Sequence, residues 1–220
     1  MILTPAGHAV IETDSHIGRW VQETGRLDHD ATIGGCIVPL LNSGDWVVDC
    51  GANIGTHTIP YAERVGAGGK IIAFEVNPMA LNCLRHNASN YPQVEIYGKG
   101  LSDRHERPML LKDENVGASF LKPGIFSEEA ECIPLDTLHL PRLHFMKMDC
   151  EGYELFALRG AWRTIKRYHP KLLIEINIGT LARNQVTLND ITDFLDLFGY
   201  NYAPLGGQST AEPQYDLLAT

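Results

Sequence analysis

The residues best suited to chemistry fall in three short runs. The first is Asp49-Cys-Gly-Ala-Asn-Ile-Gly55, an acid followed by a glycine-rich turn. Gly51 and Gly55 lack a Cβ, so the backbone there can come close to a ligand. Asn53 stands where glycine is frequent in such turns, and Asn tolerates a left-handed conformation better than other non-glycine residues. The second is Glu75, 20 residues beyond Gly55. At that spacing a strand-end carboxylate can accept hydrogen bonds from both hydroxyls of a ribose. The third is Met148-Asp-Cys-Glu-Gly-Tyr-Glu154, where Asp149 and Glu151 are candidate general bases. Glu154 reads instead as a first-turn helix acid favoured by the helix dipole. Each run alone also fits a plain structural role, a tight strand-to-helix turn or a solvated strand-end acid. Their combination favours ligand binding.

These runs need a frame to hold them. Trp46-Val-Val48 is a short apolar strand ending at Asp49. Ile59, Ala62 and Val65 predict a helix beginning near Thr56, with Pro60 tolerated in its first turn. Residues 70–74 read as a buried strand. Asn77 caps the next helix, Pro78 opens it, and Leu81, Leu84 and Ala88 form its apolar face. Strands follow at 94–97, 144–148 and 171–176, with a helix from about Tyr153 between the last two. Leu188, Ile191, Leu195 and Phe198 mark an amphipathic helix that Thr187 caps and Gly199 ends. Residues 200–203 and 215–219 complete the strands. Alternating strand and helix predicts a mostly parallel sheet with helices on both faces. Residues 1–43 form a preamble, with a strand at 8–12 and a helix at 31–41, in one domain with 44–220. Residues 104–135 are expected to hold a β insertion, because a long structureless loop is improbable in a compact domain.

The sequence of 220 residues suffices for one domain, and 44% hydrophobic with 20% charged residues is ordinary for a globular protein. Lys plus Arg number 18 against 27 Asp plus Glu, a net charge of −9. No nucleic-acid partner is expected from that balance. The longest mostly apolar stretch, 33–41, falls well short of the roughly 20 residues of a spanning helix. The first residues lack the charged-then-apolar order of a secretion signal. Five cysteines without zinc spacing read as reduced thiols of a cytoplasmic protein. Cys50 and Cys150 read as buried fillers, His57 as helix-start packing, and Trp20 and Tyr153 as core aromatics.

The acids discriminate among ligands. A nicotinamide dinucleotide turn normally has the third glycine of Gly-x-Gly-x-x-Gly. Here positions 54 and 56 are Ile and Thr, and Asp49 precedes the turn, which disfavours an NAD-dependent oxidoreductase. A non-catalytic nucleoside-binding domain would not need the second acidic run at 149–154. S-adenosylmethionine carries an ammonium, a sulfonium and a ribose but no pyrophosphate, and strand-end acids suit it.

Asp49-Cys-Gly-Ala-Asn-Ile-Gly55, Glu75, Leu101-Ser-Asp103 and Lys147-Met-Asp-Cys-Glu-Gly-Tyr-Glu154 together resemble the FkbM family of S-adenosylmethionine-dependent methyltransferases. The resemblance runs from about residue 44 to about 177. It implies an α/β, Rossmann-like class I methyltransferase fold, with a seven-stranded, mostly parallel sheet whose last strand is antiparallel. Asp49, Gly51, Asn53 and Gly55 would then hold the methionine portion of the cofactor, Glu75 its ribose, and Ser102 and Asp103 would lie near the adenine. Members of the family mostly methylate hydroxyl groups, so a small-molecule or glycan acceptor is expected. Of the two candidate bases, Asp149 leans toward the cofactor's ammonium. Asp149, Glu175 and Asn177 could form an oxygen-rich metal site of the catechol-methyltransferase kind. Polar groups lining the acceptor cleft are the favoured reading, and no metal is expected.

Overall fold

The computed structural model describes residues 1–14, 17–27, 33–111, 120–122 and 129–220. Its central sheet comprises β1 (Trp46–Cys50), β2 (Lys70–Phe74), β3 (Val94–Tyr97), β4 (Phe145–Met148), β5 (Lys171–Asn177), β6 (Tyr202–Pro204) and β7 (Gln214–Ala219). The spatial order is β6-β7-β5-β4-β1-β2-β3. β1 to β5 pair in parallel, and β7 runs antiparallel to both β5 and β6. The chain steps outward from β1 to β3, then crosses back to place β4 on the other side of β1. That reversal makes the carboxyl ends of β1 and β4 the crevice where open α/β sheets bind ligands. The register sets Asp49 beside Lys147 across that junction.

The strands are apolar on both sides because helices cover both faces. On one face α2 (Thr58–Val65) packs Tyr61, Ala62 and Val65 against Val47, Ile71, Phe145 and Leu173. On the other, α4 (Glu154–Gly160), α5 (Trp162–Tyr168) and α7 (Leu188–Leu197) cover Val48, Ile72, Met146 and Ile174.

Local chemistry sets the helix ends. Asn77 accepts from the Met79 N–H at 2.9 Å at the start of α3 (Pro78–Asn87). Thr187 and Asp190 form a reciprocal capping box on α7, and Gly199 follows it at φ 73°. The helix expected after β4 is divided into α4 and α5. At its break a Cβ on Gly160 would lie 2.0 Å from the Ser102 carbonyl oxygen, so the helix rests directly on that backbone.

The N-terminal segment departs from its expected form. The strand at 8–12 shortens to Ala9–Val10, paired antiparallel with Ile2–Leu3. α1 (Ile17–Thr24) follows, without a counterpart in the sequence reading. Of the helix expected at 31–41, residues 31 and 32 lie outside the described residues. The remainder is a π-helical turn at Ile33–Ile37 and a 3-10 turn at Val38–Leu40. Gly34, Gly35 and Pro39 account for this, since two glycines and a proline disfavour a regular α-helix. Between β3 and β4, Gly100–Leu101 pairs in parallel with Cys132–Ile133, and Met109–Leu111 pairs antiparallel with Phe120–Lys122. Among the described residues, no helix is long and apolar enough to cross a membrane.

Candidate active site

The first wall of the crevice is the turn after β1. The Gly51 and Ala52 N–H groups both donate to the Phe74 carbonyl, at 3.0 and 2.9 Å. This ties the turn to the end of β2. Gly51 has φ 81°, and a Cβ there would sit 1.8 Å from the Asp149 carbonyl oxygen. The close approach it permits is to the loop after β4. Asn53 adopts the left-handed conformation its type allows, φ 49°, and its N–H donates to Glu75 Oε2 at 2.7 Å. Gly55, at φ 102°, lies against Leu84 and Ile59.

Two acids anchor that wall. Asp49 is fully buried, and its Oδ2 accepts from the Thr58 hydroxyl at 2.6 Å. Its Oδ1 has no hydrogen-bond partner, with Lys147 Nζ 4.0 Å away. Burial raises the Asp49 carboxyl above its usual range, with the Lys147 ammonium and the Thr58 hydroxyl pulling back. Glu75 accepts from the Asn53 and Asn77 N–H groups, each at 2.7 Å. Burial raises it too, against those backbone donors.

The second wall belongs to β4, β5 and the loop after β4. Lys147 is buried in β4 and donates to Asp149 Oδ2 at 2.9 Å. Burial alone would depress the Lys147 ammonium, but Asp149 and Asp49 reverse that and hold it above its ordinary value. Asp149, Glu151 and Glu175 each offer a carboxylate oxygen, and these oxygens lie within 4.8 Å of one another. Burial first, then the negative charges of Asp149, Glu151 and Glu154, push Glu175 far above the carboxylate range. The Glu175 and Asp149 side chains are hydrogen-bonded to one another, while the Gln214 side chain donates to Glu175 Oε1 at 2.7 Å.

Asn177 stands apart from this cluster. Its side-chain oxygen accepts from the Gly179 and Thr180 N–H groups, capping α6 (Ile178–Arg183). The acids brought together are therefore Asp149, Glu151 and Glu175, not the Asp149, Glu175 and Asn177 set that the sequence reading weighed. Glu154 lies in the first turn of α4, as expected, and is buried there. It is 1% exposed, and burial pushes its carboxyl up to about 7.

Ser102 is fully buried and its hydroxyl donates to Glu106, within its own loop. Asp103 lies beside the Arg104 guanidinium at 3.6 Å, with a buried Oδ1 that makes no hydrogen bond. His57 heads α2, hydrogen-bonded to the Tyr61 hydroxyl at 3.1 Å. Trp20 and Tyr153 pack into apolar clusters. Cys50 and Cys150 are free thiols in contact, and that contact with burial pushes the Cys150 thiol well up. The sequence reading gave no role to Lys147 or Thr58. The signal for Lys147 was present: a lysine at an interior position of an apolar strand, two residues before an acid, needs a buried counter-ion.

A parallel sheet with this strand order, one antiparallel strand and a crevice between β1 and β4 defines a Rossmann-like class I methyltransferase fold. The chain matches the methyltransferase FkbM domain over residues 49–202, and it belongs to that family. A crystal structure of methyltransferase FkbM from Methylobacillus flagellatus KT superposes with a TM-score of 0.62 at 21% identity, covering 91% of this chain and 52% of that one. The chain thus spans about half the length of that relative. Aeropyrum pernix fibrillarin, solved with natively bound S-adenosyl-L-methionine, superposes with a TM-score of 0.53 at 15% identity, covering 83% of this chain and 68% of that one. A TehB-like SAM-dependent methyltransferase from Corynebacterium glutamicum gives a TM-score of 0.52 at 11% identity, covering 92% of each chain. No curated protein sequence is a significant match.

Proposed function

We propose that this chain is an S-adenosylmethionine-dependent methyltransferase whose acceptor is a hydroxyl group on a small molecule or sugar. The observation that carries the cofactor assignment is the state of the first wall. At the sheet's switch point, Asp49 Oδ1 and Asn53 Oδ1 are buried without hydrogen-bond partners. The paired Glu75 carboxylate, with about four lone-pair sites in such a group, accepts two backbone N–H bonds and keeps acceptor capacity for ribose hydroxyls. Buried polar atoms are rarely left unsatisfied, so these acceptors fit a ligand carrying an ammonium and a diol. Asp49, Gly51, Asn53 and Gly55 would hold its amino-acid portion, Glu75 its ribose, and Asp103 with the Ser102 backbone its base. S-adenosylmethionine supplies an electrophilic methyl group when bound.

The chain's own residues do the rest. Alignment of donor and acceptor by a rigid crevice can supply roughly 7–11 kcal/mol of the barrier. A neutral hydroxyl also needs a base, typically worth about 10²–10⁴ in rate. Asp149 already faces the Lys147 ammonium and the Glu175 carboxyl, which favours it as a fixed charge toward the cofactor's ammonium. Glu151, at the tip of the loop, is then the base. Glu175 enters as a protonated neighbour that lines the acceptor side. In this reading residues 1–43 and the insertion at about 104–135 belong to the same domain and shape acceptor choice, and the net charge of −9 disfavours nucleic acid as acceptor.

Thermal denaturation with S-adenosylmethionine, its demethylated product and NAD tests the first half. A ligand at 100 times its Kd adds about 2.7 kcal/mol, expected for the first two alone. Transfer of labelled methyl groups to panels of sugars, phenols, amines and RNA tests the second. Labelling of RNA or amines but not hydroxyls would overturn the acceptor class.

A further inference from the structure

The loop that carries Glu151 is held from three sides. On the first, the Asp149 carbonyl is packed where Gly51 would have its Cβ, 1.8 Å away. On the second, a Cβ on Gly152 would lie 2.4 Å from the Thr180 carbonyl oxygen, and the Asn184 side-chain amide donates to the Gly152 carbonyl at 3.2 Å. On the third, Glu154 turns back from the start of α4. Its Oε1 accepts from the Cys150 N–H at 2.9 Å and the Gly152 N–H at 3.2 Å. Those two donors flank Glu151, which is left-handed at φ 54°, an unusual conformation for a glutamate. Gly152 beside it has φ 101°. Such backbone persists only when its surroundings over-determine it. The other Glu154 oxygen, Oε2, is buried without a partner.

We propose that Glu154 is a positioning residue: its single oxygen gathers the Cys150 and Gly152 amides and fixes the turn that brings Glu151 beside Asp149 and Glu175. The inference deepens the reading of Glu151 as the base and rests on it. The work is done by reach, not by charge. Both bonds end on Oε1, an acceptor oxygen that a carboxylate, a carboxylic acid or a carboxamide can each supply. A residue that ended one methylene short would keep the charge and lose both bonds.

Three substitutions in the full chain separate these possibilities: Glu154→Gln, Glu154→Asp and Glu154→Ala. Native-state amide exchange is read at Cys150 and Gly152, and the Glu151 carboxyl and amide resonances are followed in labelled protein. Glu154→Gln should keep exchange within about threefold of wild type and leave the Glu151 resonances in place. Glu154→Asp and Glu154→Ala should speed exchange by about tenfold or more, as expected for the loss of the side-chain acceptor shared by these two amides, and move or broaden the Glu151 signals. Asp protecting the loop better than Gln would overturn the proposal, since charge would then matter more than reach. Wild-type exchange in all three variants would overturn it as well. Should Glu154→Ala fail to fold, the Asp and Gln pair still decides. S-adenosylhomocysteine binding to the wild-type chain is measured in parallel. Its absence would sink the methyltransferase reading and leave the exchange result to judge the loop on its own.

Discussion

The two walls of the crevice solve opposite problems. The wall after β1 spends its backbone: the Gly51, Ala52 and Asn53 amides are all donated, to Phe74 and Glu75. Among the described residues, the buried side-chain oxygens there that make no hydrogen bond are Asp49 Oδ1 and Asn53 Oδ1. The wall after β4 crowds charge. Three carboxyl groups bring oxygens within 4.8 Å of one another, beside the buried Lys147 ammonium. The first wall is geometrically complete and offers a few acceptors. The second is electrostatically loaded, and the loop that carries it is tied down from outside. The difference suits the proposed methyl transfer, which would need a rigid seat on one side and a proton acceptor on the other.

The two walls touch at Gly51. Gly51→Ala must move either loop, because its Cβ would fall 1.8 Å from the Asp149 carbonyl at a φ of 81°. We expect a loss of about 4 kcal/mol or more in denaturant unfolding. An effect below about 1 kcal/mol would show that the loops are not in contact in solution.

Lys147→Ala comes next. It leaves Asp49 and Asp149 without their shared cation, and breaking a buried pair costs about 3–5 kcal/mol. Urea unfolding at neutral pH checks this, with Lys147→Met expected to lose less.

The loaded wall also predicts a pH dependence. Glu154 is raised from 4.5 to about 7 by burial, so between those values the folded chain holds a proton that the unfolded chain has released. Stability therefore falls as pH rises through that window, by about 3 kcal/mol in all, and levels off above it. Glu175, raised in the same direction by burial and its acidic neighbours, extends the fall to higher pH. Unfolding measured from pH 4.5 to 8 should show the decline. Glu154→Gln should flatten its lower part, and a profile that rises with pH would contradict the burial of these groups.

Smaller effects belong to the first wall. Glu75→Gln keeps one acceptor oxygen of two, and the Kd for S-adenosylhomocysteine should rise about tenfold, equivalent to roughly 1.4 kcal/mol. Asn53→Gly should change stability least, within about 1 kcal/mol, because glycine adopts the same left-handed backbone freely.

Much of the first wall was legible in the sequence. Asn53 at a glycine position announced a left-handed residue, and Asn77-Pro78 announced a capped helix start; both follow from local backbone preferences. The parallel core was legible for a similar reason, since runs such as Val47-Val48 and Ile71-Ile72 must be covered on both faces. The second wall was less legible because its determinants lie far apart in sequence. Glu175 meets Asp149 only through the pairing of β4 with β5. Asn177 looked like a site residue by spacing but spends its side chain on α6. Glu154 was legible as a first-turn helix acid, but not its bonds back to the Cys150 and Gly152 amides. The sequence pointed to a close backbone approach at Gly51 but could not name the Asp149 carbonyl oxygen as a neighbour that packs there. The helix expected at 31–41 is replaced over 33–40 by π-helical and 3-10 turns, which suit Gly34, Gly35 and Pro39 better.

In the proposed reading the first wall seats S-adenosylmethionine. Calorimetric titration of S-adenosylhomocysteine and of NAD into the full chain tests it most directly. Saturable binding of S-adenosylhomocysteine at one site per chain, weakened by Glu75→Gln and with no heat from NAD, is the predicted result. Binding of NAD in its place, or S-adenosylhomocysteine binding that is indifferent to Glu75, would contradict the account.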